Sequence, residues 1–362
     1  MTLPAARLRS FCDGYLPEKP KPVVSSGEFL FSAVGLAHGH IYGMTRALLE
    51  AGATLCEVWD DDPQKIAAFL KAFPQAKAAP SLNAALSNPA VQLIASAAIP
   101  SERCALGIRA MQAGKDYFVD KAPMTSLDQL AQARKAVAET GRKYMVYYSE
   151  RLHSEAATMA DHLIREGTIG RVLHTDGFGP HRLNLPTRPS WFFEKARYGG
   201  ILCDIGSHQI EQFLHFTDSK DAVVQSARKA NYAHPDYPEF EDFGDCMLLG
   251  SNGTTGYFRI DWFTPDGLSN WGDGRTFILG TDGYIELRKV VDIASGTTGG
   301  DRVYWVDRQG EHKMDVSGRV GCPFFGQFIL DCLNRTESSM TQAHAFRAAE
   351  LCLRAQALAD HS

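Results

Sequence analysis

Phe29-Leu30-Phe31-Ser32-Ala33-Val34-Gly35-Leu36-Ala37-His38-Gly39-His40 joins a short apolar run to a loop of small residues. A continuous apolar run of this length, closed by glycine, fits a strand buried on both faces. Just beyond it, Ile41, Met44, Leu48 and Leu49 fall on one helical face, and Gly52 suits the stop. Thr54 to Trp59 reads as a second strand. Asp62-Pro63 then supplies an N-cap and a proline at the first helical position, opening a helix through Phe73.

The alternation continues. Strands are expected at Val91 to Ala98, Asp116 to Asp120 and Lys143 to Ser149. Between them, Ser101 opens a helix that Gly114 ends, and the capping box Ser126-Leu127-Asp128-Gln129 opens another that Gly141 ends. Strands alternating with helices imply parallel pairing through right-handed crossovers, hence a doubly wound α/β sheet. The expected organisation is an N-terminal arm (1–28), a dinucleotide-binding Rossmann domain (29–150) and a substrate and oligomerisation domain (151–362). In the last, the strand candidates Arg171 to Phe178, Ala222 to Ala230, Asp245 to Leu249, Gly256 to Trp262, Thr276 to Leu279, Tyr284 to Leu287 and Arg302 to Val306 carry hairpin turns at Asn252-Gly253 and Asp282-Gly283. They predict an open mixed or antiparallel sheet, followed by helices at Phe324 to Asn334 and Thr341 to Ala359. An open sheet face needs cover, so a homodimer or homotetramer through this sheet is expected.

Composition is that of an ordinary globular chain: 362 residues, 44% hydrophobic, 22% charged, formal net charge -5. Dispersed Lys and Arg give no nucleic-acid signature, and no apolar run is long enough to span a membrane. The start lacks an apolar signal core. The eight cysteines are scattered without metal-knuckle or CxxC spacing, which points to a reducing cytoplasm.

Ligands of a doubly wound sheet bind beyond the carboxyl ends of its strands. The loop after the first strand is therefore the first candidate. Of the dinucleotide fingerprint's glycines at 35, 37 and 40, only Gly35 matches strictly, with Ala37 a small substitute and Gly39 one place ahead of His40, but the context of strand, helix and acidic strand end matches well. Asp60 would accept the ribose hydroxyls and repel an extra phosphate, so NAD is favoured over NADP. A solvated acidic turn remains the competing reading. His38 and His40 invite a metal, but no third ligand is evident, and none is expected; their amides and rings are assigned to the pyrophosphate and helix N-terminus. Lys121 sits at the same strand edge, where an ammonium can stabilise an alkoxide. In Gly199-Gly200-Ile201-Leu202-Cys203-Asp204-Ile205-Gly206-Ser207-His208, the spacing of Asp204 and His208 puts carboxylate and imidazole on one helical face, as a general base and its orienting group require. A capping Asp with a core His reads the same segment. His181, Arg182 and Trp191, in the loop ahead of this segment, are substrate-side candidates.

Three marks together resemble the Gfo/Idh/MocA family, named for glucose–fructose oxidoreductase, inositol dehydrogenase and a rhizopine-catabolism protein. They are the Gly35-to-Asp60 unit, Ala113-Gly114-Lys115 leading to Asp120-Lys121-Ala122-Pro123, and Gly199-Gly200 through Asp204 and His208. Two positions depart from it: Asp120 stands for the usual Glu, and Ala122 displaces the proline to Pro123. The resemblance implies a nicotinamide cofactor contacted near Ile99, Pro100, Asp120 and Lys121, and a sugar, cyclitol or polyol substrate. It implies Lys121, Asp204 and His208 as catalytic positions, and hydride transfer from a secondary alcohol. Redox-neutral chemistry on transiently reduced NAD, and a non-catalytic nucleotide-binding regulator, are the alternatives.

Overall fold

The computed structural model describes residues 16–361. Elements β1 (Leu30–Val34), α1 (His40–Glu50), β2 (Thr54–Trp59), α2 (Pro63–Ala72), β3 (Lys77–Ala78), α3 (Leu82–Ser87), β4 (Leu93–Ser96), α4 (Pro100–Gln112), β5 (Asp116–Asp120), α5 (Leu127–Thr140) and β6 (Tyr144–Tyr147) come first. Their strands form one parallel sheet in the order β3-β2-β1-β4-β5-β6. Strand order reverses between β1 and β4, so the loops leaving those two strands frame a crevice at the carboxyl edge.

Next come α6 (Ser149–Leu152), α7 (Glu155–Arg165), β7 (Val172–Pro180), α8 (Lys195–Tyr198), α9 (Ile201–Asp204), α10 (Gly206–Phe216), β8 (Ala222–Ala230), β9 (Phe243–Gly250), β10 (Thr255–Asp261), β11 (Arg275–Gly280) and β12 (Tyr284–Arg288). A two-stranded ribbon, β13 (Val291–Asp292) with β14 (Thr297–Thr298), precedes β15 (Arg302–Asp307), β16 (Gly310–Asp315), α11 (Phe324–Asn334) and α12 (Gln342–Asp360). The second sheet runs β16-β15-β12-β11-β7-β10-β9-β8. It is mixed: only β7 and β10 pair parallel. Helix α10 lies close against it. A Cβ on Gly177 of β7 would stand 2.2 Å from the Gln209 side chain, so glycine there sets the approach.

Local signals place most boundaries. Asp62 accepts from Gln64 N–H with Pro63 following, Ser126 caps α5, and Gly141 closes it in the left-handed region. One cap differs. Ile99, not Ser101, is the N-cap of α4, because Pro100 takes the first helical position and draws Ser101 inside. Short β3 and α3 and the polar edge strand β16 lack the periodicity that revealed the rest.

The C-terminal helices return to the first sheet. The Gln342 side chain accepts from Tyr144 N–H (2.8 Å) and donates to Tyr144 C=O (2.7 Å), closing the exposed edge of β6 as a strand would. Arg335 pairs with Asp116, and Phe328 packs on Phe118. From the expected arm, residues 16–28 lie along the body, where Val23 N–H donates to Ala51 C=O and Val24 is buried; residues 1–15 lie outside the described chain.

Candidate active site

Gly35 follows β1 with φ +77°, and a Cβ there would meet Ala98 at 2.8 Å. Only glycine allows this loop to run against the end of β4. The loop is then laced down. Gly35 N–H donates to Trp59 C=O (2.9 Å) and Leu36 N–H to Asp60 Oδ2 (2.5 Å). Helix α1 opens five residues later with no acidic residue in its first turn, so its N-terminal field suits an anion. Gly39 has open space where its Cβ would be. These features fit a dinucleotide. Asp60 would hold the adenosine ribose, although one of its oxygens already serves Leu36. Lys65 Nζ stands 3.5 Å from the other, a cation not evident from the acidic run alone. The amide of His38 is not free for a phosphate, as the sequence reading had it: it donates to Ala97 C=O (2.9 Å).

Asp120 ends β5 fully buried and gathers three groups. His38 Nδ1 lies 3.1 Å from Oδ2, His40 Nδ1 2.8 Å from Oδ1, and Arg103 donates to Oδ2 at 3.1 Å. Burial pushes this carboxyl up, but His40, Arg103 and His38 more than offset it, holding it well below the ordinary range. Asp120 is thus the third group that the two histidines lacked in the sequence reading. The trio could in principle hold an ion, but a cation would have to share the carboxylate with the Arg103 guanidinium.

Arg103 organises the strand end. Its guanidinium donates to the carbonyls of Ala98 (2.6 Å), Asp120 (3.1 Å), Lys121 and Ala122 (2.9 Å). The turn keeps Lys121 buried and aimed inward without a proline at position 122, and the Lys121–Ala122 peptide is cis. The sequence held a signal for Arg103. The buried stripe of α4 runs through Cys104, Gly107, Ala110 and Met111, and Arg103 is its one charge.

Lys121 Nζ donates to Asp204 Oδ1, joining the two sheets' elements across the cleft. Burial raises the Asp204 carboxyl and Lys121 outweighs it, leaving the group below its usual value. Asp204 and His208 do share nearly continuous helical turns, α9 and α10. Yet the carboxylate serves Lys121, and no bond joins it to the His208 ring. His208 is buried, with Nδ1 unpartnered. Burial lowers its pKa to about 3, so the ring is neutral and one ring nitrogen presents a lone pair.

His181 stands between the rings of Trp271 (4.5 Å) and Trp262 (5.5 Å). Arg182 spends its guanidinium on Pro265 C=O (3.0 Å) and Leu268 C=O (2.5 Å), tying down a loop. Trp191 is buried edge-on against Phe192 (5.8 Å). Two residues not singled out from the sequence also border the cluster. Arg188 lies over Phe192 (4.4 Å) and Trp262 (5.0 Å), with its charge acting on Asp204. Glu150, just past the carboxyl end of β6, is buried beside His181.

These groups predict acid lability. Burial lowers His208 to about 3 and His181 to about 4, from an ordinary 6.5. Below that ordinary value the unfolded chain binds protons the folded chain refuses, so stability falls as pH drops towards 4. The depressed Asp120 carboxyl acts with the same sign at lower pH. Calorimetry should show the melting temperature falling from about pH 6.5 downward, and His208→Gln should flatten that slope. A flat profile would count against the assigned burial.

Residues 34–148 match the model of an oxidoreductase family with an NAD-binding Rossmann fold, and residues 158–286 match the GFO/IDH/MocA C-terminal domain. The chain belongs to the Gfo/Idh/MocA oxidoreductase family. Within this family it is 27% identical over 168 residues to scyllo-inositol 2-dehydrogenase (NADP(+)) of Bacillus subtilis, covering 46% of each chain. Over 155 residues it is 27% identical to D-xylose dehydrogenase of Paenarthrobacter nicotinovorans, covering 41% of this chain and 38% of that one. The matched stretch therefore spans under half of either dehydrogenase. A structure from Erwinia carotovora atroseptica, classed as an oxidoreductase, is 51% identical, with TM-score 0.88 over 92% of this chain and 99% of that one. Levoglucosan dehydrogenase in complex with NADH and levoglucosan shares the fold at 17% identity, with TM-score 0.75, 92% of this chain covered and 97% of that one. Among the described residues no helix is long and apolar enough to cross a membrane.

Proposed function

We propose that this family member is an NAD-dependent dehydrogenase that oxidises a secondary alcohol of a neutral sugar, cyclitol or related polyol. The observation that carries the reading is the Lys121–Asp204 pair standing in one cluster with a neutral, unpartnered His208. A bound nicotinamide supplies the hydride acceptor. His208 takes the hydroxyl proton, and Lys121 holds the oxygen as charge develops on it. Asp204 keeps Lys121 aimed into the cleft. Gly35, Ala37, Gly39, His40 and Asp60 are assigned to the dinucleotide, with Ile99, Pro100 and Asp120 bordering it. His38 supports the same loop through its ring. Trp191 and Arg182 shape the substrate loop from behind, and His181 faces the substrate.

Asp60 supports NAD, whereas Lys65 beside it and the NADP(+)-dependent inositol relative keep NADP as the comparison to make. The exposed Val223, Met247, Leu279 and Tyr284 of the second sheet support a homodimer or homotetramer joined there. The test is NADH and NADPH formation from inositols, pentoses and hexoses by the purified protein. NADH should form with at least one polyol, and His208→Ala should cut kcat roughly 10²–10⁴-fold. Turnover without release of reduced cofactor would replace the proposal with redox-neutral chemistry. Tight NAD binding with no turnover would replace it with a regulatory role.

A further inference from the structure

Glu150 is buried at the carboxyl edge of the first sheet, and its two oxygens have different surroundings. Oε2 accepts from Lys289 Nζ (3.0 Å), Gln209 Nε2 (2.9 Å) and Gln212 Nε2 (3.4 Å). Oε1 has no partner. His181 Nε2 faces it 4.0 Å away, and the nearby His208 also acts on the carboxylate through its charge. The His181 ring bonds Gly179 C=O through Nδ1 at 3.0 Å. A carbonyl can only accept, so Nδ1 carries the proton and Nε2 presents a lone pair. Burial keeps the ring neutral, with its pKa at about 4.

Two acceptors therefore face each other across a gap with no donor between them. Leaving a buried carboxylate oxygen unmatched is costly, and a donor entering the gap recovers that cost. The side chains round it are fixed. Gln209 and Gln212 sit on α10 directly after His208, and Gln212 also accepts from Lys289 at 2.7 Å. The same helix thus presents the proton acceptor and holds Glu150 in place.

We infer that Glu150 Oε1 and His181 Nε2 form a hydroxyl-anchoring subsite, each accepting one hydrogen bond from a substrate hydroxyl other than the one oxidised. The substrate is accordingly a triol or higher polyol, not a simple secondary alcohol. This deepens the dehydrogenase reading and rests on it for the identity of the reacting hydroxyl.

Glu150→Gln tests it. Three donors surround Oε2, so the amide oxygen of the variant turns towards them and its NH₂ faces the gap. An acceptor becomes a donor with little change of shape. Binding is read directly, by quenching of the Trp262 and Trp271 fluorescence with myo-inositol, D-xylose and matching monodeoxy compounds. Wild type should bind at least one polyol roughly 10- to 100-fold more tightly than its deoxy partner, and E150Q should lose most of that ratio. His181→Phe, which removes the facing lone pair, should lose it as well; it decides the matter if E150Q does not fold. Equal ratios in wild type and variants overturn the inference, as does a wild type that binds no polyol. Because binding is measured without turnover, an inactive protein that still discriminates would sink the dehydrogenase reading and leave the subsite standing.

Discussion

Replacing Lys121 with methionine is expected to lower kcat roughly 10²–10⁴-fold and to destabilise the fold at the same time. Lys121 is 4% exposed, and its ammonium is held by Asp204 Oδ1. Removing it takes away the cation proposed to face the developing oxyanion. It also leaves the Asp204 carboxylate buried without its partner, and breaking a buried pair from one side costs about 3–5 kcal/mol. Asp204→Asn is expected to be milder for the fold than Lys121→Met, because a cation on a flexible stem can turn towards water. In the double variant no uncompensated charge remains, so much of the stability should return while activity does not. Turnover and chemical denaturation of the two single variants and the double variant separate the effects. A Lys121→Met enzyme within a few-fold of wild type in kcat would remove Lys121 from the chemistry. Additive stability losses would remove the pair.

Arg103→Met is expected to be the most damaging change to the first sheet's ligand edge. The methionine roughly fills the volume, so the loss is electrostatic and not a cavity. Four carbonyls and the Asp120 carboxylate lose their donor at once. With the burial involved, a loss of about 3–5 kcal/mol is expected. The turn that carries Lys121 loses its brace, and Asp120 loses the cation that holds it between His38 and His40. Cofactor affinity should therefore fall in whatever folded fraction remains. Arg109→Ala, on the exposed side of the same helix, removes only a bond to Asn83 (2.8 Å) and should stay within about 0.5 kcal/mol. Denaturant midpoints and NAD titration check both variants. An Arg103→Met protein as stable as Arg109→Ala would refute the bracing role.

Much of this molecule was legible residue by residue. The first sheet was readable because its boundaries rest on local chemistry: Asp62 with Pro63, the Ser126 cap, and Gly52 and Gly141 at the stops. The hairpin turns at Asn252-Gly253 and Asp282-Gly283 were readable for the same reason. Ser101 misled because two adjacent start signals compete, and proline, with its fixed φ and missing N–H, takes the first helical position. Strand β16 was missed because Met314 is the one apolar residue in it, its buried neighbour being His312 and its outer face carrying charge. Glu150 and Arg103 were missed although signals existed. One follows shortly after a strand at the carboxyl edge of the sheet, and the other is a charge on an apolar stripe.

Spacing alone brought Asp204 and His208 onto one helical run, and the strand-end position singled out Lys121 before the motif resemblance joined the three. The resemblance was sound as to family. Partnership is another matter. Spacing of four residues says which groups are neighbours on a helix, but not which of them bond. A buried carboxylate gains far more from an ammonium than from a neutral imidazole, and the ammonium arrives from a strand end 83 residues away in sequence. So Asp204 serves Lys121, His208 is left neutral and unpartnered, and Asp120 becomes the hub of two histidines and an arginine. Local sequence determined most of the elements and the strand edge to which the proposed site is assigned. The long-range fold chose the ion pairs, because a buried charge takes the strongest partner within reach, however distant in the chain.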